Sequence, residues 1–139
     1  MGYSIKIMSQ RVGLTEYTLR YYEKEGLLPY IERDKNGNRI FSDQDFDWIS
    51  LICCLRDTGM PISDIKRYVA LCRVGDATIN ARKQILIEHK CTIEQNIKQL
   101  KKFSVKINQK IAFYDDLEKC GGTDDCNPAY NTNPQLKKR

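Results

Sequence analysis

From Ala77 to Leu117 the chain contains neither proline nor glycine, and no other feature narrows its possible folds so far. An uninterrupted stretch of that length greatly exceeds the average globular helix. Within it Ile79, Leu86, Ile93, Leu100, Ile107 and Tyr114 recur at every seventh position without a miss. Apolar residues at that interval line one side of a helix as a coiled-coil seam. The second heptad position is mixed, with Arg82, His89, Asn96, Phe103, Lys110 and Leu117. A single helix cannot bury such a stripe, so the pattern predicts a second copy against it and hence a homodimer. His89 and Asn96 are expected to pair across that dimer and fix its register. The heptads alone leave the direction of the paired helices open.

The residues before this helix divide into short pieces. Ser4 is placed to cap a helix through about Val12, which Gly13 ends. Thr15 caps a second helix to about Glu25, and Gly26 supplies the left-handed exit. Two short helices around a glycine-containing turn form a helix-turn-helix pattern. Asn36-Gly37 then marks a tight turn between the β-prone stretches Tyr30–Arg33 and Asn38–Phe41, a small hairpin or wing. Ser42 with Asp45 resembles a capping box and opens a third helix over about Asp43–Thr58, closed by Gly59. Pro61 and Ser63 open a fourth, ending near Cys72, with Val74-Gly75-Asp76 as punctuation. The fold class is therefore mainly α. The expected domains are a winged helix-turn-helix over residues 1–75, a coiled-coil helix over 76–119 and a flexible tail over 120–139. The tail is rich in Gly, Asn, Pro and Asp and reads as a loop followed by disorder.

Charge and composition exclude several classes. No run approaches the ~18 apolar residues of a membrane span, and the first residues lack the apolar core of a secretory signal. A cytoplasmic location is expected, and with it reduced thiols at Cys53, Cys54, Cys72, Cys91, Cys120 and Cys126. An enzyme is not expected, because there is one histidine and no phosphate-cradling glycine loop or nucleophile elbow. No cofactor is implied. Net charge is +5, but residues 1–75 hold 11 basic against 10 acidic side chains. An argument for nucleic-acid binding must therefore rest on where donors sit rather than on bulk charge.

One stretch suggests where they sit. In "LTEYTLRYYEKEGLL", residues 14–28, an arginine and two adjacent tyrosines occupy the second helix, a row that a purely structural helix does not require. Together with "NGNRIF" at 36–41 and the order of the elements, this stretch closely resembles the MerR family of bacterial transcription regulators, over residues 3 to about 118. The resemblance implies that the second helix enters the major groove of promoter DNA. Arg20 would then reach base edges or phosphate, with Thr15, Tyr17, Thr18, Tyr21 and Tyr22 as DNA contacts on the same helix. Arg33, Asn36, Asn38 and Arg39 of the wing would touch the flanking backbone. A core position for Tyr22, and a pairing of Arg20 with a nearby glutamate, are the plain structural alternatives. The resemblance further implies a homodimer with an antiparallel coiled coil that bends and untwists a promoter, engaging RNA polymerase indirectly.

What such a regulator would sense stays open. The segment "WISLICCLRDTGMPISDIKRYV" looks like the aldehyde- and electrophile-responsive branch of the family, which implies a reactive thiol at Cys54. Cys53 falls instead with Phe46 and Ile49 on a core face. Arg56, Thr58, Lys66 and Arg67 are expected neighbours of Cys54; the cations among them would favour its thiolate, and Asp57, one turn away, would oppose it. A metal reading uses Cys120 and Cys126, with Cys72 or Cys91 as a third ligand. A drug-binding reading lacks the separate C-terminal domain it needs. Outside the regulator class, a coiled-coil adaptor that binds no DNA is the rival, and it leaves the wing and the arginine-tyrosine row unexplained.

Overall fold

The structure, a computed structural model, describes residues 2–129. It forms two compact units that divide within the long helix, one running to Cys91 and the other starting at Thr92. The elements are α1 (Ile5–Val12), α2 (Glu16–Lys24), β1 (Glu32–Arg33), β2 (Arg39–Ile40), α3 (Asp43–Asp57), α4 (Ile62–Val74), a 3₁₀ turn (Asp76–Thr78) and α5 (Ile79–Cys120). The fold is mainly helical with a two-stranded wing, as the sequence predicts.

The helix ends are set by the residues expected to set them. The Ser4 and Thr15 hydroxyls accept the backbone N–H of Ile7 and Thr18. Ser42 and Asp45 close a complete capping box, so the shorter acid serves where glutamate is usual. Gly13 and Gly26 take positive φ at the exits of α1 and α2, where a Cβ would strain the backbone. In the wing Arg33 pairs with Arg39 and Glu32 with Ile40. Tyr3 extends the ladder by exchanging backbone hydrogen bonds of 2.7 and 2.8 Å with Phe41, which ties the chain start to the wing.

The first unit is held by one apolar core. Met8 of α1, Leu19 and Tyr22 of α2, Phe41, Ile49 and Ile52 of α3, and Ile65 and Val69 of α4 are buried together. Each such Leu or Ile stabilises the unit by roughly 1.5–3 kcal/mol. Trp48 donates to the carbonyl of Leu27 at 2.8 Å and stacks on Tyr68, so the α2–β1 connection is held against α3 and α4. Arg11 joins α1 to α3: it pairs with Asp43 at 3.0 Å and lies over the rings of Tyr3 and Phe46.

The start of α5 belongs to this unit as well. Ile85 is buried in the core and Leu86 packs on it, so the first turns of α5 pack with the winged helix-turn-helix expected over residues 1–75. His89, expected to pair across the dimer, has its Nε2 2.7 Å from Oγ1 of Thr58 within the same chain. Ile85 was missed because it lies one position before the seam residue, where a heptad count does not look.

In the second unit α5 continues as a helix to Cys120, and Gly121 turns the chain with φ of 67°. Lys110 sits over the rings of Phe113 and Tyr114 and reaches Asp124 at 3.7 Å, so residues 121–124 fold back on the helix. The flexible tail was expected over 120–139; Cys120 is the last residue of α5, and residues 130–139 lie outside the described residues.

Candidate nucleic-acid interface

The sequence row on α2 separates by helical phase. With about 100° per residue, Leu19 and Tyr22 face the core while Tyr17, Arg20 and Tyr21 face outward. Tyr17 is 77% exposed, far more than a packed aromatic, and Tyr21 is 40% exposed. Arg20 is half exposed and lies 3.5 Å from Glu16 one turn back. An exposed pair of that kind contributes at most about 1 kcal/mol, so the guanidinium is free to re-aim at low cost. Thr15 spends its hydroxyl on the helix cap and on the Thr18 hydroxyl at 2.8 Å, which orients the N-terminus of α2.

Tyr22 is a correction to the expected contact set. It is 2% exposed, and its hydroxyl accepts a 2.5 Å hydrogen bond from Nη1 of Arg56 on α3. Its ring completes the core against α3 and holds α2 in place, the core position that was the structural alternative. Arg56 carried no signal in the sequence that tied it to α2.

The wing lies across from this row. Its turn is prebuilt: Oδ1 of Asp34 accepts the backbone N–H groups of Asn36 and Asn38 at 2.9 Å each. The side chains of both asparagines are left at the exposed tip. A groove of about 660 Å³ runs between the chain start, α2 and the wing, lined by Ser4, Arg20, Asp34, Asn38 and Arg39 among others. The wing arginines, however, are engaged within the chain. Arg39 Nε donates to Oε1 of Glu23 at 2.6 Å, Arg33 Nη2 donates to the same oxygen at 3.3 Å, and Arg33 Nη1 caps the carbonyl of Gly37 at 2.8 Å. Glu23 follows the tyrosine pair in sequence, and its role becomes visible once the hairpin is folded.

The candidate thiols also separate. Cys53 is half-buried, and burial with the nearby Asp57 charge pushes its thiol up from the ordinary value. Cys54 is exposed on the solvent side of α3, and its carbonyl accepts the Thr58 hydroxyl. Of its expected cationic neighbours, Lys66 pairs with Glu25 at 2.8 Å and Arg56 is committed to Tyr22. Cys91, Cys120 and Cys126 are exposed, and Cys126 Sγ lies 3.8 Å from Oδ1 of Asp125. Among the described residues no three His, Cys, Asp or Glu side chains come together as a metal site.

On α5 the seam changes character along its length. Leu86 and Ile93 are partly covered, while Leu100 is 65% and Ile107 60% exposed, with Phe103, Ile111 and Tyr114 also open. Ile79, at the head of the seam, is exposed as well. Among the described residues no helix is long and apolar enough to cross a membrane.

This helix-turn-helix, wing and long helix can be set beside known proteins. Residues 3–72 match the MerR HTH family regulatory protein family, and residues 46–118 match the MerR, DNA binding family. The chain belongs to the MerR family. An HTH-type transcriptional regulator of Haemophilus influenzae is 39% identical over 87% of this MerR-family chain and 90% of its own length. The HTH-type transcriptional regulator AdhR of Bacillus subtilis is also 39% identical, over 63% of this chain and 62% of its own. Among solved structures, HiNmlR, a MerR family regulator lacking the sensor domain and bound to promoter DNA, superposes with a TM-score of 0.81. That match has 38% identity and covers 88% of this chain and 97% of that one. A MerR family regulator of Bacillus thuringiensis gives 0.76 at 37% identity, covering 82% of this chain and all of that one. The molecule is thus a MerR-type DNA-binding transcriptional regulator and not an enzyme, which sets aside an adaptor that binds no DNA.

Proposed function

We propose that two copies of this regulator bind one promoter duplex in the cytoplasm, each placing α2 in the major groove and its wing against the adjacent backbone. The observation that carries this reading is the outward row of Tyr17, Arg20 and Tyr21 on a helix whose opposite face is fixed in the core. Arg20 supplies a fork of donors for a guanine edge or phosphate, and the tyrosine hydroxyls bond phosphate oxygens. Thr15 and Thr18 serve the helix N-terminus, where backbone N–H groups attract phosphate. Asn36 and Asn38 present neutral donors at the wing tip, with Arg33 and Arg39 behind them. The second copy is required by α5, whose open apolar stripe over Leu100, Phe103, Ile107, Ile111 and Tyr114 needs a partner. Each half-site is held by one module with little excess charge, so affinity depends on the dimer. Bending and untwisting the promoter between half-sites costs a few kcal/mol, a range in which a conformational shift can act and present promoter elements to RNA polymerase. The test is a gel shift on an operator. Arg20→Ala should weaken binding by about 1–3 kcal/mol, a loss of roughly five- to 150-fold; unchanged affinity removes the assignment.

Cys54 is the thiol this reading uses as the switch. It is exposed on α3, whereas Cys53 beside it is half-buried, and burial pushes its thiol up from the ordinary value. The Cys54 sulfur would bond to the electrophilic carbon of an aldehyde or activated alkene, and the displaced electron pair would take a proton from water. The adduct would then bias α3, which packs under α2. In a reporter strain Cys54→Ala should lose electrophile-induced transcription and keep operator binding; a full response in that variant ends the thiol reading. Cys120 and Cys126 remain the alternative, and metal-dependent operator binding lost in a Cys120→Ala/Cys126→Ala variant would support it instead.

A further inference from the structure

Glu23 stands one residue past the tyrosine pair, on the side of α2 that faces the wing. A single carboxylate oxygen of Glu23 receives two guanidiniums, Arg39 at 2.6 Å and Arg33 at 3.3 Å. Those arginines are directly opposed residues on the two strands of the hairpin. Like charges facing each other across a ladder are destabilising, so the wing alone would splay or shed them. The carboxylate offsets that repulsion, and it does so in a sheltered place, because Glu23 and Arg39 keep only about a fifth of their side-chain surface exposed. The backbone of the tip is tied into the same cluster, since Arg33 also caps Gly37. One residue of α2 therefore grips both strands of the wing.

We propose that Glu23 is a positioning residue for DNA discrimination: it fixes the distance between wing and recognition helix, and it withholds one unit of positive charge from the phosphate backbone. The inference rests on the reading of α2 and the wing as the DNA face. Two arginines and one glutamate leave a single net positive charge at the base of the wing. Sequence-independent binding grows with every phosphate neutralised, whereas base readout depends on the register of α2. A carboxylate placed here lowers the first and secures the second.

The experiment compares the full chain with Glu23→Gln on operator and on unrelated duplex of equal length, across a salt series. Removing the negative charge while keeping the side-chain shape should steepen the log–log salt slope by about 0.9 per protomer. Binding of unrelated duplex should tighten by about tenfold for a dimer, while operator binding gains less because the register of α2 is loosened, so the preference for operator falls. A purely structural role would weaken both duplexes without steepening either slope, and that result overturns the proposal. A second comparison neutralises the whole cluster, so that neither unpaired arginines nor an unpaired carboxylate disturbs the fold. In Glu23→Gln/Arg33→Gln/Arg39→Gln, loss of about one phosphate contact per protomer or less supports the proposal, and loss of about two shows both arginines gripping phosphate in the wild type and overturns it. Arg20→Ala, run alongside, separates the two failures. If Arg20→Ala weakens operator binding while Glu23→Gln leaves slope and preference unchanged, the proposal alone fails; if Arg20→Ala changes nothing, the DNA face itself fails and the proposal with it.

Discussion

Tyr21 and Tyr22 are neighbours in sequence and opposite in task. About 100° of helical rotation puts one ring in solvent and the other in the core under Arg56. Reading residue types along a helix without its phase merges these roles, which is why the sequence counted Tyr22 among the DNA contacts. The exposure of Arg20 and Tyr17 follows from the same phase. Glu23 and Arg56 were not legible, because their partners lie 16 and 34 residues away along the chain. The ion pairs at the edge of the module give a test in pH. Arg11 holds the Asp43 carboxyl below its ordinary value of 3.8, and Lys66 holds Glu25 below 4.5. A carboxyl whose folded value is depressed stabilises the fold above its unfolded value, and that contribution fades as pH falls through the folded value. Wild type should therefore melt above Asp43→Asn at pH 6, and the gap should close as pH drops below about 4. A gap that stays constant from pH 6 to pH 2.5 would show that the pair contributes through packing on Tyr3 and Phe46 alone. The Asp43 carboxylate is 67% exposed, so the gap is small.

At the level of elements, local chemistry was enough for most boundaries. Ser4, Thr15 and Ser42 cap where they were expected to, and Asn36-Gly37 turns the wing. The strands came out shorter than expected, two residues each, because the ladder is continued by Tyr3 rather than by a longer hairpin. α5 was legible in extent from the absence of proline and glycine, but its first turns were not legible in role. Ile85 and His89 join the first unit there, through the core and through Thr58. Further along the stripe Leu100, Phe103, Ile107 and Ile111 stay exposed. Leu100→Asp should convert a dimer to a monomer in sedimentation while the first unit keeps its helical signal. A dimer that persists in Leu100→Asp and in Ile107→Asp would place the interface elsewhere.

For the whole molecule, the reading joins a promoter-binding module, an apolar helix awaiting a second copy and an exposed thiol on the helix beneath the recognition element. Family membership fixes the first of these as a class of activity. The central claim is that paired copies grip one duplex through the outward row of α2. A photo-crosslinking side chain placed at Tyr17, and separately at Arg73 as an exposed position on α4, tests it most directly on an operator duplex. The account expects crosslinks from position 17 at two sites related by the operator's symmetry, one per half-site, and none from position 73. Crosslinking from 73 with silence at 17, or a single site per duplex from one bound chain, would contradict it.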